Sequence, residues 1–162
     1  MEPSGSELQA DILYNTLTQY NVLDKITVAA WVFTHAHSDH ITAFTAFVNK
    51  YSQNVNIEQL VYNYPSDSDI LKDPDMAKDQ ALSEGGIVYE QRKAIAEKLP
   101  NVKISTPYAG DLYKFANAEL EFYLTPTDMF PVMCYQGNEF NTSSLIFKIK
   151  TEGQEILITG DS

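Results

Sequence analysis

All three histidines of this chain lie within six residues, in the run Thr34-His35-Ala36-His37-Ser38-Asp39-His40. Side chains two apart on an extended backbone share a face, so His35 and His37 present two imidazoles to one side. Two neutral imidazoles so placed can share one metal ion. Asp39 and His40 then offer an oxygen and a nitrogen to a neighbouring position. Such donors suit zinc, with manganese or iron as alternatives. A His-rich surface loop is the plainer reading, but three His and an Asp, with no His elsewhere, favour a metal centre. The second chemical feature is Ile156-Leu157-Ile158-Thr159-Gly160-Asp161-Ser162. An apolar strand delivers a glycine, which permits close backbone approach, and then a carboxylate able to bridge two cations. Taken alone, Gly-Asp after a strand also reads as a plain turn.

These residues need elements to position them. Ser6 followed by Leu8, Ile12, Leu13, Leu17 and Tyr20 predicts a capped amphipathic helix. Ile26 to Phe33 is almost wholly apolar and reads as one strand buried on both faces, running straight into the His cluster. Ile41, Phe44, Phe47, Val48 and Tyr51 keep helical spacing. Leu60 to Tyr64 reads as a short strand closed by Pro65, and residues 66 to 78 as a polar surface loop. Gly85-Gly86 opens a predicted helix to Lys98, and Val102 to Ser105 is a further strand. From Gly110 the period changes to a β meander: 112–115, 119–124, 144–150 and 156–159, with Thr151-Glu152-Gly153-Gln154 as a hairpin turn. Thr125 to Phe140 reads as a long loop. Helices and strands in alternation, followed by a meander, predict an α/β layered sandwich.

Composition narrows the classes. The 162 residues suit one domain, and 44% hydrophobic content is too high for a disordered chain. One Cys excludes an internal disulfide framework. No apolar run approaches the roughly 18 residues of a membrane span, and the acidic opening is no signal peptide, so the default expectation is the cytoplasm. A formal charge of −11 argues against a nucleic-acid footprint.

His35-x-His37-x-Asp39-His40 after an apolar strand, with a helix following, resembles the signature of the metallo-β-lactamase superfamily. Asp161 in Leu157-Ile158-Thr159-Gly160-Asp161 looks like that family's later bridging aspartate, and Ala109-Gly110-Asp111 lies before a strand, as in its middle section. The resemblance implies an αββα sandwich: a mixed sheet with flanking helices, then an antiparallel meander. It implies that His35 and His37 bind one metal, Asp39 and His40 a second, and that Asp161 bridges two zinc ions. The implied chemistry is hydrolysis of an ester-type bond by metal-activated hydroxide, with Asp39 as a catalytic residue orienting the attacking water.

The chain departs from the family at two places. The family supplies another His before the strand at Ser144; here the stretch is Asn138-Glu139-Phe140-Asn141-Thr142-Ser143-Ser144-Leu145. This resembles the branch in DNA-uptake competence proteins of the ComEC type, which favours a phosphodiester over a lactone or thioester. Asn141 is a candidate substitute ligand or substrate contact, and reads equally as a loop amide serving the backbone. The family also has opening strands and a further αβ half, so 1–162 is expected to be one domain present as a fragment. Uncovered apolar faces would then favour self-association. The acidity points to a small-molecule or nucleotide-like substrate. The second expectation is a non-catalytic metal-binding or sensor domain with an incomplete site.

Weaker candidates have plainer explanations. Cys134 reads as a structural thiol, and Phe130, Met133 and Tyr135 as loop packing or a cleft lining. Asp67, Asp69, Asp73 and Asp75 lack the Gly and Glu of a calcium loop.

Overall fold

The first helix, α1 (Gly5–Tyr20), begins before Ser6 rather than after it, and only Leu13 and Leu17 of the stripe its spacing suggests pack inward. Ala10 is buried, with Leu13, Tyr14 and Leu17 packed beside it, while Leu8, Ile12 and Tyr20 are exposed. The α2 helix decides this face. Tyr14 stacks on Tyr51 at 4.1 Å, and Asp11 accepts hydrogen bonds from Lys50 and the Tyr51 hydroxyl. A tethered stripe outweighs the larger apolar residues one position away.

The computed structural model describes residues 5–71, 77, 82, 84–129 and 139–162. The elements after α1 run β1 (Ile26–Val28), β2 (Trp31–Val32), α2 (Ser38–Tyr51), β3 (Val55–Ile57), β4 (Gln59–Val61), α3 (Asp67–Ile70), α4 (Ile87–Lys98) and β5 (Lys103–Ser105). They continue with β6 (Leu112–Phe115), β7 (Ala118–Leu124), α5 (Pro126–Met129), α6 (Glu139–Thr142), β8 (Ile146–Thr151) and β9 (Gln154–Ile158). Asp73, Asp75, Phe130, Met133 and Cys134, with Tyr135, lie outside the described residues, so the readings made on them have no structural counterpart here.

The apolar run 26–33 forms two short strands rather than one. β1 pairs parallel with β3, and β2 pairs parallel with β4, which in turn pairs parallel with β5. The break falls at Ala29-Ala30, opposite Glu58, whose N–H still reaches the Val28 carbonyl at 3.0 Å. Burial on both faces holds only at the ends, Ile26 and Phe33; Thr27 and Ala29 are exposed. β2 lies at the edge of its parallel set.

Two apolar layers result. Residues of α1, α2 and α4 pack on one side of the parallel strands, where Trp31 and Phe33 meet Phe44 at 4.9 and 4.8 Å. Edge-on aromatic contacts of this kind lock the angle of α2 against β2. On the other side Val61 joins Leu120, Phe122, Leu145 and Phe147, so Leu60 and Val61 point into different clusters, as a period of two requires.

The meander β6-β7-β8-β9 is antiparallel throughout, in the order of the chain. Leu120 and Phe122 point inward; Glu119 and Glu121 pair with Lys150 on the outer face at 3.7 and 2.8 Å. That is the alternation of a one-sided sheet. Glu152 and Gly153 both take positive φ (42° and 80°), the two-residue turn expected between the last two strands. The Leu145 N–H donates to the Thr34 carbonyl at 2.9 Å, so the meander meets the parallel strands at the entrance to the His cluster. The architecture is mixed α/β, and among the described residues no helix is long and apolar enough to cross a membrane.

Candidate metal centre

Strand pairing carries past β2, since the Phe33 N–H reaches the Val61 carbonyl at 3.0 Å. His35 therefore leaves the carboxyl end of a parallel strand, where α/β sheets build their sites. Extended backbone stops at His37, the N-cap of α2 (φ −74°, ψ 155°), whose carbonyl accepts the N–H groups of His40 and Ile41 at 3.1 Å each. Asp39 lies in the first helical turn, where the positive end of the helix favours a carboxylate. Helix rise then folds His40 back over His35, with ring centroids 4.0 Å apart.

Asp161 arrives from the far end of the chain. Gly160 turns after β9 with φ +58°, against Ser144 and Thr34. The Asp161 carboxylate then stands 3.9 Å from His35 Nε2 and 3.4 Å from His40 Nε2. Ligand atoms of His35, His40 and Asp161 all lie within 4.8 Å of one another. Around a tetrahedral ion with bonds near 2.1 Å, ligand atoms sit about 3.4 Å apart, so the trio fits one divalent cation with small adjustments. His35 Nε2 also lies 3.1 Å from His37 Nδ1, and His40 Nε2 lies 3.7 Å from Asp39. All five residues named from the sequence thus gather in one place, with His40 rather than His37 beside His35 in the tight trio.

Burial is graded across the site. His35 is fully buried; Asp161 and Asp39 are 44% and 76% exposed at the side chain. The cluster is thus buried at His35 and open to solvent at Asp39 and Asp161. The buried ring of His35 is pushed down to a pKa of about 4, chiefly by desolvation and then by the neighbouring His40 and His37, against the pull of Asp161 and Asp39. It is neutral at pH 7, the form that binds a metal.

At His35 the unfolded chain takes up a proton as pH falls below about 6.5, while the folded chain resists until about 4. Stability of the metal-free protein should therefore fall across that window, by on the order of 2 kcal/mol from His35. Urea midpoints in EDTA at pH 7 and 4.5 measure it, and His35→Gln should flatten the difference. An equal slope in both chains would refute this origin.

Asn141 sits in α6, and its carbonyl accepts the Ser144 N–H and the Ser162 hydroxyl at 3.0 Å each. Its side-chain Oδ1 is buried with no hydrogen-bond partner among the described residues. An orphaned amide oxygen one residue contact from the Asp161 segment is compatible with a ligand role. Sequence reasoning missed Thr34 and Ser144, which contact the His rings; a hydroxyl residue directly before His35 was the only signal available.

No protein-family model and no curated sequence matches this chain. Among solved structures it is similar to CmlA, a diiron β-hydroxylase from Streptomyces venezuelae, at 15% identity and a TM-score of 0.48, over 88% of this chain and 22% of that one. A mutant of the CmlA β-hydroxylase aligns at 14% identity and a TM-score of 0.44, over 85% and 21%. The chain spans about a fifth of the length of these structures.

Proposed function

We propose that this chain is a metal-dependent hydrolase domain of the metallo-β-lactamase type, acting on an ester-type bond. The observation that carries the reading is the convergence of ligand atoms of His35, His40 and Asp161 within 4.8 Å of one another. A bound zinc ion would polarise the scissile bond and lower the pKa of an attacking water.

The chain's own residues supply the rest. His35 stays neutral and keeps a lone pair for the ion. Asp39, exposed beside His40, can accept a proton from water at the open side of the site. His37 adds a further imidazole edge, and Asn141 a neutral oxygen. A phosphodiester is the favoured substrate, with a lactone or thioester as alternatives. Asn141 supports the first, while the formal charge of −11 disfavours a polyanion, so the substrate proposed is small or nucleotide-like.

The zinc-loaded chain should hydrolyse bis(p-nitrophenyl) phosphate in preference to an aryl lactone or thioester, and Asp39→Ala should cut turnover by roughly 100-fold or more. Stoichiometric zinc binding without turnover of any of the three would instead make this a metal-binding sensor domain.

A further inference from the structure

The edges of His35 and His40 turned away from Asp161 meet hydroxyls. His35 Nδ1 lies 3.1 Å from Thr34 Oγ1 and 3.2 Å from Ser144 Oγ. His40 Nδ1 lies 3.4 Å from the same Thr34 hydroxyl. The opposite nitrogens, both Nε2, face the Asp161 carboxylate. Each ring therefore has a hydroxyl side and a side facing Asp161, where His35 Nε2 also lies 3.1 Å from His37 Nδ1. Ser144 is fully buried and has one more contact: its Oγ accepts the Asp161 backbone N–H at 3.3 Å. Gly160 has no side chain to intrude here, where a Cβ would come within 2.5 Å of Ser144 Oγ.

A neutral imidazole carries one proton. Giving Nε2 to a cation places that proton on Nδ1, where a buried N–H needs an acceptor. A hydroxyl has two lone pairs and a proton that rotates. Ser144 Oγ can accept from the Asp161 N–H and from His35 Nδ1–H together, and Thr34 Oγ1 can accept from both rings.

We infer that Thr34 and Ser144 are positioning residues of the metal centre: their hydroxyls hold the protons of His35 and His40 on Nδ1 and aim both Nε2 atoms toward Asp161. Ser144 also fixes the backbone on which Asp161 stands, so one hydroxyl couples a ligand that follows β2 to one that follows β9. The inference rests on the metal-centre reading above.

Zinc titration of the whole chain against a chromophoric chelator tests it, together with imidazole ¹⁵N NMR. Ser144→Ala and Thr34→Val should each weaken zinc binding roughly 10–100-fold, while Thr34→Ser, which keeps the hydroxyl, should stay within about threefold of the unaltered chain. In the zinc-loaded chain both His35 and His40 should be protonated at Nδ1. Zinc affinity unchanged in both hydroxyl-deleted variants, or an Nε2–H ring in the loaded chain, overturns the inference and leaves the metal centre standing. An unaltered chain that binds no zinc overturns both. If Ser144→Ala fails to fold, the Thr34 pair and the ring tautomers decide.

Discussion

Replacing His35 and Asp161 together with alanine should lower zinc affinity by at least about 100-fold, because the double variant leaves His40 alone of the tight trio. Asp161→Asn is the milder companion. It keeps the shape but removes the charge that faces His35 and His40 at 3.9 and 3.4 Å, and should cost roughly 10–100-fold. Asp161 is half-exposed, so its replacement leaves the core untouched; His35 is buried, so its alanine variant also opens a small cavity. For that reason the measurement pairs metal titration with a urea curve in EDTA. A control outside the cluster, Asp67→Ala, removes an exposed pair with Arg92 and should leave zinc binding unchanged. Unchanged zinc affinity in the double variant would remove the site assignment.

Gly160→Ala should destabilise the fold by about 2–5 kcal/mol, through two costs that add. The residue has φ +58°, where any L side chain loses about 1–2 kcal/mol. Its new Cβ would lie 2.6 Å from Ser144 Cβ and 3.1 Å from Thr34 Cβ, and overpacking of that kind costs about 1–3 kcal/mol. Gly153→Ala separates the two costs. Gly153 also has positive φ, at +80°, but faces open space, so it should lose only the conformational part, about 1–2 kcal/mol. Urea denaturation of both variants decides. Equal losses would mean that the cradle formed by Ser144 and Thr34 yields freely, and that close approach at Gly160 does not hold Asp161 in place.

The His cluster was legible because its information is local. Donor type and short spacing are written in the chain, and the apolar strand before it and the helix after it announce a strand-to-helix turn. The core helix α2 was legible for the same reason: Ile41, Phe44, Phe47 and Val48 repeat at helical spacing and are buried as that spacing requires. Pairing within the cluster was less legible. Alternation joins His35 to His37 only while the chain stays extended. From Ser38 the rise falls from about 3.3 to about 1.5 Å per residue, which carries His40 back over His35.

Long-range choices were not legible at all. The split at Ala29-Ala30 depends on where β3 and β4 break, far along the chain. Which part of α1's apolar stripe faces inward depends on Tyr51 and Lys50 as well as on its own Leu13 and Leu17. The roles of Thr34 and Ser144 exist only because β8 docks beside the end of β2.

By itself, then, the sequence determined the donor types, their local spacing and the turn from strand to helix, since those follow from bond geometry over a few residues. Only the tertiary structure decided which donors come together, because that requires Asp161 to travel back across the sheet. It is held there by a crowded glycine and one buried serine hydroxyl.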